Sequence, residues 1–472
     1  MHIIIKKRNT AILTFLKKIL SVSSVQPKAA AVAAPVQSSN AKSYPRSEHC
    51  ISRSQISGNA LKVLQRLKAA GFEAYLVGGC VRDLLLGREP KDFDVATNAS
   101  PEQVKQVFRN CRIIGRRFRL AHVFFGRDIV EVATFRGAET DDSERQQVDE
   151  DGRLLRDNVF GTLEEDVWRR DFTVNALYYS IRDFSVIDYT GGMEDHRNAV
   201  IRLIGDPLVR YREDPVRMLR AVRFAVKLGF SLHPGTEKPL FELADLLQSI
   251  PSARLYDEVL KLFLAGYGLQ TFEMLRHYGL FGILFPLTDR CLATEAHDFP
   301  RLFLIRALEN SDIRFSEGKT LTPYFLLAAL LWEPLQMAAQ KHIQHGDNET
   351  LAYQNAANDI LNKQIRITAM PRHVTQAMRD VWFMQAKFAK TVGSRPFRLL
   401  EQPKFRAAFD FLALRAETGG ADPELVAWWA KFQDADDTTR QAMTAPSKNG
   451  GDKSGRRKPR RYRGRSKSDA QS

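Results

Sequence analysis

The fold is decided by the stretch AYLVGGCVRDLLLGREPKDFDV, residues 74–95. The apolar run 74–77 predicts a strand, and the pair Gly78-Gly79 predicts a tight turn into a short helix that stops at Gly87. A second strand follows and carries Asp92 and Asp94. Because side chains along a strand alternate between its two faces, both carboxylates are expected to point to the same side.

The two carboxylates indicate a cation site. Like charges held side by side repel one another unless a cation lies between them, and Mg²⁺ binds carboxylate oxygens together with substrate phosphates. Gly78 and Gly79 would let the backbone approach a phosphate closely. The combination favours an enzyme that handles a nucleoside triphosphate. The alternative for an isolated Asp-x-Asp is a solvated loop or a helix cap.

A third carboxylate lies in another apolar strand. Glu131 interrupts the run IVEVA at residues 129–133. Glutamate is rarely buried unless it is paired or bound to a metal, so Glu131 is a candidate third ligand for the same ion. His122, in the apolar run 120–126, is interpreted as a core histidine rather than a general base.

The composition indicates a multidomain globular protein of a reducing compartment. With 472 residues, 44% of them apolar, the chain exceeds one core, so two to four domains are expected. The four cysteines include no Cys-x-x-Cys pair. Their spacing argues against a zinc site and against a disulfide framework.

The net charge of +15 sits at the two ends of the chain. Residues 48–452 carry 53 basic and 54 acidic side chains, which nearly cancel, whereas 453–472 carry nine Lys or Arg and one acid. The C-terminal run has no apolar periodicity, so a disordered tail is expected. Contact with RNA phosphates is favoured over a solubility role. The candidate RNA-binding residues are Arg456, Arg457, Lys458, Arg460, Arg461, Arg463 and Arg465.

The N-terminal stretch is also basic. Residues 1–47 hold eight Lys or Arg and no acid, and Lys17-Lys18 interrupts the apolar residues between Ile3 and Leu20. The stretch is therefore too polar to span a membrane or to resemble a secretory signal. Weak contact with an anionic membrane surface and a disordered extension without function are both left open.

Helix and strand signals alternate up to about residue 190. Leucines at three-residue spacing predict a helix over 57–70, and Ser100 followed by Pro101 marks the start of another. The runs 120–126 and 129–135 predict a hairpin, whereas the polar, acid-rich residues 136–152 predict a mobile loop. After about residue 195 leucine-rich helical patterns predominate.

These patterns predict an α+β protein in which a mixed-sheet α/β head precedes an all-α neck and body. The expected divisions are a disordered basic extension (1–47), a head (48–195), a helical neck (196–265), a helical body (266–445) and a disordered Arg-rich tail (446–472).

Residues 169–177, RRDFTVNAL, mix two arginines with an acid and an amide. The forked guanidinium groups suit phosphates, and Asn175 could hold a ribose hydroxyl. A salt-bridged surface is the alternative. For Asp171, orienting an arginine and supporting the metal site are both left open.

Residues 213–220 open a helix, with Asp214 as N-cap and Pro215 at its first position. Asp214, Arg217 and Arg220 recur at three-residue spacing and so share roughly one face. An acid and a guanidinium on one face could read the edge of a base. A cap with a local ion pair is the alternative.

In order and approximate spacing these elements resemble the class II nucleotidyltransferases, the family of bacterial poly(A) polymerases and CCA-adding tRNA nucleotidyltransferases. The likeness covers roughly residues 50–260. It is carried by Gly78-Gly79, Arg82-Asp83, Asp92-x-Asp94, Glu131, RRDF at 169–172 and Glu213-Asp214-x-x-Arg217. The poly(A) polymerase subgroup is resembled by GRRFRLAH at 115–122, LLRDNVFGT at 154–162, PKFRAA at 403–408 and the Arg-rich tail.

The resemblance implies a role for each of these positions. Asp92 and Asp94 would hold two Mg²⁺ ions, or Mn²⁺ in their place, with Glu131 as the third carboxylate and Asp171 as a further acid of the catalytic site. The neck would recognise the base and the body would bind RNA. The nucleotide-binding residues would be Gly78, Gly79, Arg82, Asp83, Arg169, Arg170, Asn175, Asp214, Arg217, Arg220 and Arg223.

The resemblance also implies the activity, which is template-independent addition of AMP from ATP to RNA 3′ ends by an in-line displacement that two Mg²⁺ ions assist. The expected partners are mRNA and small-RNA 3′ ends and the RNA-decay machinery. The enzyme is expected to be a cytoplasmic monomer. CCA addition to tRNA is the alternative within the family. An RNA-binding protein with an inactive transferase head is the alternative from another class.

Overall fold

The computed structural model describes residues 41–115, 119–137, 146–148, 154–157, 160–293 and 299–445. The chain divides into two compact units. The first unit runs to Glu213 and includes Ser231–Thr236, whereas the second comprises Asp214–Phe230 and continues from Glu237. The head therefore extends beyond the predicted boundary at 195. Tyr211 is fully buried there and donates a hydrogen bond to the Thr236 carbonyl of the same unit.

The first unit is built around an eight-stranded sheet, which confirms the mixed-sheet head. Its strands are β1 Lys42–Tyr44, β2 Ala74–Val77, β3 Asp94–Thr97, β4 Cys111–Ile114, β5 Leu120–Phe125, β6 Asp128–Thr134, β9 Tyr178–Ser180 and β10 Val186–Asp188. They stand in the order β1-β10-β9-β2-β3-β6-β5-β4. All neighbours are antiparallel except β3 and β6, which are parallel.

Short helices connect these strands. Ser57 caps the first helix by accepting a hydrogen bond from the Ala60 N–H, and the helix ends before Gly71, whose φ is +87°. Ser100 and Gln103 form a capping box at a later one, with Pro101 at its first position, as predicted. The bounds are α1 Gly58–Ala69, α2 Gly79–Leu85, α3 Pro101–Val107, α4 Leu163–Trp168, α5 Gly192–Arg197 and α6 Pro207–Glu213. Short 3₁₀ turns lie at Arg46–Glu48, Arg53–Gln55 and Thr173–Asn175.

The sheet separates an apolar side from a side that carries the acids. Val95 of β3 and Val132 of β6 lie in one core cluster together with Leu64 of α1 and Val104 of α3. Because strand side chains alternate, the neighbours of these valines point the other way. Asp94 therefore lies on the face opposite α1 and α3.

Several short strands fall where no strand was predicted, among them β4, β9 and β10 of the sheet. β1 lies inside the extension that was predicted to be disordered. It is held there because Tyr44, which is 4% exposed, belongs to the head core and pairs with Val186. β7 Gln146–Val148 pairs antiparallel with β8 Leu154–Asp157, across part of the predicted mobile loop. β11 Val200–Ile201 pairs with β12 Ser231–Leu232 in the part of the chain after residue 195 that was predicted to be helical, although both strands belong to the first unit. These strands have two to four residues each, too few for alternation to be recognised in the sequence.

The second unit is helical, as predicted. The helices from Asp214 onward are α7 Val216–Leu228, α8 Pro234–Leu243 (which begins in the first unit), α9 Ser252–Phe263, α10 Gly268–His277, α11 Leu280–Leu284, α12 Pro286–Ala293, α13 Phe299–Ser316, α14 Pro323–Leu330, α15 Trp332–Gln344, α16 Glu349–Ile367, α17 Arg372–Phe388, α18 Arg395–Leu400, α19 Phe405–Glu417, α20 Pro423–Asp434 and α21 Asp437–Thr444, with a 3₁₀ turn at Ala244–Ser249. Three fully buried tryptophans, Trp332, Trp382 and Trp429, anchor its packing. Among the described helices, none has the length and apolarity that a membrane span requires.

Gly78 makes the turn that the fold-deciding stretch requires. Its φ of +76° and ψ of −131° belong to a region that residues with a Cβ rarely adopt. The turn ends β2 and starts α2 within one residue, so the backbone at Gly78 comes within hydrogen-bonding distance of the Leu177 carbonyl, at 3.4 Å. Gly79, the next residue, does not have a positive φ.

We predict that Gly78→Ala lowers the free energy of unfolding by about 1–3 kcal/mol, the cost of forcing a Cβ into this backbone conformation. Gly79→Ala is the matched control. Alanine there meets only an ordinary contact, 3.5 Å from Arg82 Nη2, so its stability should equal or slightly exceed that of the wild type. Urea unfolding of both variants measures the difference. Equal stability of the two would contradict the account of the turn.

Candidate active site

Two carboxylates meet at the parallel pair in the middle of the sheet. The register of β3 and β6 places Asp94 directly opposite Glu131. Neighbouring strands lie about 4.8 Å apart, so directly opposed side chains on the same face interact. Backbone pairing thus places Glu131 beside Asp94, but its side chain is 49% exposed, so the expectation that Glu131 is a buried glutamate is wrong.

Burial and like charge act together on Asp94. Its pKa is raised from 3.8 to about 6, first by burial and then by the negative charge of Glu131, with a further contribution from Asp92. The positive charge of Arg170 acts in the opposite direction. A bound cation would stabilise the ionised form of Asp94, because its positive charge would offset both burial and the repulsion from Glu131.

Asp92 does not lie on the strand. β3 begins at Asp94, and the exposed Asp92 precedes it by two residues, so the prediction that both acids belong to one strand is wrong in this detail. Within the described ranges, no three His, Cys, Asp or Glu side chains converge into a closed metal site. An open arrangement is what Mg²⁺ commonly uses, because it takes one or two carboxylates and completes its shell with phosphates and water.

Arg170 lies beside both the glycine turn and Asp94. A Cβ placed on Gly78 would be 3.6 Å from Arg170 Nη1. The guanidinium donates to Asp166 Oδ2 at 2.9 Å and to the Tyr178 hydroxyl at 2.7 Å. Burial opposes its charge, but Tyr178 and Asp166 keep the pKa of Arg170 above its usual value. The site therefore contains one cation held permanently next to its acids.

The partners of Arg170 were not recognised in the sequence. Asp166 is buried, and it also accepts hydrogen bonds from the Tyr178 hydroxyl and from the Arg136 N–H. The signal that could have identified it is its position four residues before Arg170 in a helical segment, the spacing of a helical ion pair. Burial raises the pKa of Tyr178 above its usual value, so its hydroxyl remains a donor.

Arg82, Asn175 and Asp171 form a chain of hydrogen bonds behind the turn. Arg82 is 2% exposed and donates to Asp83 Oδ1 at 2.7 Å and to Asn175 Oδ1 at 2.6 Å. The Asn175 amide donates to Asp171 Oδ1 at 3.3 Å, and the same oxygen accepts the Phe172 N–H. Four of the predicted site residues are therefore brought together, with side chains engaged mainly by one another.

Arg169 points away from this chain. Its Nη1 donates to the Gly137 carbonyl at 2.7 Å. The carbonyls of Arg169 and Arg170 both accept from Arg210 Nη2 at 2.9 Å. Arg210 also pairs with Glu213 at 2.7 Å. Arg210 thus fixes the backbone of the arginine pair, a function that its place in an unremarkable helix did not indicate.

The predicted base-reading residues begin the second unit. α7 starts at Val216, one residue later than predicted, and Asp214 Oδ1 still accepts the Val216 N–H at 3.2 Å. Asp214 Oδ2 accepts from Arg254 Nη2 at 2.7 Å, so the acid has a partner that the sequence did not suggest. Arg217 is partly exposed on the same helix.

Arg220 and Arg223 flank an aromatic ring on α7. Both guanidinium groups lie over Phe224, at 5.3 Å and 4.7 Å from the ring centre. Arg223 Nε is 3.9 Å from Glu258, which is 5% exposed and also pairs with Lys261 at 2.7 Å. These contacts fix both arginines on α7, and their supporting role stays a prediction.

His122 differs from its predicted role as a core residue. It stands opposite Glu131 in the β5–β6 register, and its Nε2 is 3.4 Å from Glu131 Oε1.

The predicted RNA-binding residues of the tail, the extension up to residue 40 and the remainder of the 136–152 segment lie outside the described residues. The four cysteines are free thiols.

Three family models match the chain: the poly A polymerase head domain over residues 74–202, the probable RNA and SrmB-binding site of polymerase A over 229–292, and the polymerase A arginine-rich C-terminus over 345–467. Poly(A) polymerase I of Escherichia coli O6:H1 (strain CFT073) is 52% identical over 431 residues, which are 90% of this chain and 91% of that protein. The chain belongs to the poly(A) polymerase I family.

CCA-adding enzymes are more distant relatives, which match a smaller part of the chain or match it at lower identity. The CCA-adding enzyme of Lactobacillus helveticus (strain DPC 4571) is 40% identical, but over only 46% of this chain and 52% of that protein. The crystal structure of the Bacillus stearothermophilus CCA-adding enzyme in complex with CTP has a TM-score of 0.52 and 28% identity, and it covers 81% of each chain.

The raised pKa of Asp94 makes a prediction about stability. Because the folded state binds the Asp94 proton more tightly than the unfolded state does, ionisation destabilises the fold as the pH rises from about 4 to 6, and the full cost applies above pH 6. With a chelator present to remove divalent ions, Asp94→Asn should therefore raise the free energy of unfolding at pH 7.5, by at most about 3 kcal/mol. The gain should shrink towards pH 4.5.

Urea unfolding at both pH values, with chelator, measures the effect. Asp92→Asn is the matched control, since Asp92 is exposed, and its effect should be smaller. A gain for Asp94→Asn that does not depend on pH would contradict the assignment of Asp94 as a partly buried carboxyl group whose pKa is raised by burial and by Glu131.

Proposed function

We propose that the protein transfers AMP from ATP to the 3′ ends of RNA without a template. The observation that carries the proposal is the 52% identity with a poly(A) polymerase I along 90% of the chain, with the opposed carboxylates Asp94 and Glu131 in place on the central strands. An inactive RNA-binding relative would have no need to keep a partly buried carboxylate opposite a second one.

The donor set suits a divalent cation. Asp92, Asp94 and Glu131 would hold two Mg²⁺ ions, or Mn²⁺ in their place, because hard cations prefer carboxylate oxygens and share them with phosphates. The raised pKa of Asp94 supports this assignment on electrostatic grounds. When bound, such ions activate the attacking hydroxyl and neutralise the charge that develops on the leaving pyrophosphate.

Arg170 is the cation of this unit best placed for the triphosphate. It lies next to Gly78 and Asp94 and is fixed by Asp166 and Tyr178. A guanidinium fixed in advance stabilises phosphate charge without reorganising during the reaction. The absence of a Cβ at Gly78 and Gly79 would let the phosphates approach the backbone.

Arg82 and Asp83 support the site through other residues. Arg82 is buried and bonded to Asp83 and Asn175. We therefore assign Arg82 the role of orienting Asn175 towards the nucleotide, with Asp171 holding the other end of that amide. Arg169 would contribute mainly through its backbone, which Arg210 fixes.

Base selection would fall to Asp214 and Arg217. A carboxylate that accepts and a guanidinium that donates can match the edge of one base and reject another by leaving buried groups unpaired. Arg254 holds the Asp214 carboxylate at 2.7 Å. Arg220 and Arg223, stacked on Phe224, would support the same helix.

The Arg-rich tail would add contacts to RNA phosphates. The product, an RNA with an unstructured A-rich 3′ end, would be a substrate for the RNA-decay machinery. The free thiols are those of a reducing compartment, which supports a cytoplasmic site of action.

Incorporation of each of the four nucleotides tests the activity. With an A-ended oligonucleotide we predict that ATP alone supports repeated addition, and that Asp92→Ala or Asp94→Ala abolishes AMP incorporation while RNA binding stays within about twofold of the wild type. Transfer RNA lacking its CCA end is the discriminating substrate. Consumption of CTP followed by a stop after three additions would instead establish CCA addition.

Removal of residues 453–472 tests the tail. We predict weaker RNA binding and a shallower dependence of log K on log salt, by about 0.7 for each RNA phosphate that the tail neutralises in the full-length protein. The measurement is fluorescence anisotropy with a labelled oligoadenylate at low and at high salt. A tail that only aids solubility would leave the slope unchanged.

A further inference from the structure

The catalytic carboxylates form one end of a row that crosses four strands. Asp94 stands opposite Glu131, Glu131 opposite His122, and His122 opposite Arg112. Directly opposed residues put their side chains on the same face of a sheet. One face therefore carries, in order, two carboxylates, an imidazole and a guanidinium. The row begins at β3 and ends at the edge strand β4.

The opposite face is accounted for by the head core. Val123 of β5 and Val132 of β6, whose sequence neighbours belong to the row, are buried in that core. Cys111, next to Arg112, is buried there as well. The charged row therefore lies on the face of the sheet opposite this core.

His122 joins the two halves of the row. Its Nε2 lies 3.4 Å from Glu131 Oε1, and its side chain is 14% exposed. On the other side its ring is 6.4 Å from that of Phe124. The imidazole thus stands between the carboxylate pair and the arginine in the row.

Arg112 is surrounded by apolar groups that reach the solvent. Its guanidinium lies over the Phe124 ring at 5.5 Å. Ile129, directly opposite Phe124, is 44% exposed, and Ile114, which shares the face of Arg112, is 41% exposed. A cation next to an aromatic ring and exposed apolar side chains on a sheet is the combination that binds single-stranded RNA.

RNA that approaches the two carboxylates requires a cation nearby on the same face of the sheet. The RNA must bring its 3′ hydroxyl to the carboxylates, but the phosphodiesters that follow it are anions and are repelled by Asp94 and Glu131. Arg112 stands three strand spacings from Asp94, about 14 Å away. It is therefore close enough to neutralise the last linkages of the RNA while its distance from the carboxylates keeps it from competing with the metal.

We propose that Arg112, with Phe124 and Ile129, forms the binding site for the last nucleotides of the RNA substrate. Arg112 pairs with one phosphodiester, the apolar side chains contact the adjoining sugar and base, and His122 acts as a positioning residue for Glu131. The proposal rests on the proposed adenylyl transfer, because it assigns the second substrate of that reaction to a place on the sheet.

A chemical cycle tests the phosphate contact. Oligoadenylates that carry a neutral methylphosphonate at one of the last three linkages are compared with the unmodified RNA, for the wild type and for Arg112→Gln. We expect Arg112→Gln to raise the KM for RNA about threefold to tenfold and to leave the KM for ATP unchanged. We also expect one modified linkage to weaken the wild type by a similar factor and to have little further effect on the variant.

Two variants complete the cycle. Arg112→Lys keeps the charge and should recover part of the loss. Lys105→Gln is the matched control, because Lys105 is an exposed cation on α3, on the other face of the sheet, and its kinetics should equal those of the wild type. If every methylphosphonate weakens the wild type and Arg112→Gln by the same factor, the inference is wrong. If the wild type incorporates no AMP into unmodified RNA, the proposed function itself fails.

Discussion

The arrangement of the first unit depends on the electrostatic repulsion between the carboxylates of Asp94 and Glu131. Asp94 and Glu131 are fixed opposite each other by the only parallel pairing in the eight-stranded sheet, and Asp94 is buried enough for its pKa to rise to about 6. Two acids in this position weaken the fold when no cation is present. The two acids lower the free energy of unfolding and are explained by a function rather than by stability. The remaining features of the site follow from this arrangement.

The neighbouring residues hold this arrangement from two sides. On one side the Gly78 turn brings Arg170 close to Asp94, and Asp166 and Tyr178 fix that arginine. On the other side the acids are followed by His122 and Arg112 along the same face. Charge of one sign is thereby flanked by charge of the other, which suits two polyanionic substrates that must meet at a metal.

Much of the head could be predicted because its signals are local. The glycine turn, the cap at Ser100 and the hairpin at Gly126 each depend on a few adjacent residues, and each was confirmed. Most of the other strands of two to four residues were missed because they are too short to show alternation, whereas the four-residue β2 was recognised from its apolar run before the glycine pair. Asp92 was placed on a strand because its pattern fits one, although β3 begins two residues later.

The site was predictable only as a set of residues. Sequence patterns and a family resemblance named Asp94, Glu131 and Arg170, but contacts between distant segments decide what each one does. Arg82 illustrates this, since its motif suggested a nucleotide contact and its hydrogen bonds to Asp83 and Asn175 give it an internal role. His122 was interpreted as a core residue because a single apolar strand cannot reveal that it will face a carboxylate.

The central claim is that Asp92, Asp94 and Glu131 together hold a divalent cation. Backbone cleavage by Fe²⁺ with ascorbate, in which Fe²⁺ replaces Mg²⁺ and generates hydroxyl radicals at its binding site, tests it directly. We predict that the bound Fe²⁺ cleaves the backbone both near residues 92–94 and near residue 131. We also predict that excess Mg²⁺ suppresses both cuts and that both are lost in Asp94→Asn. Cleavage confined to one segment, or unchanged in Asp94→Asn, would contradict a shared site.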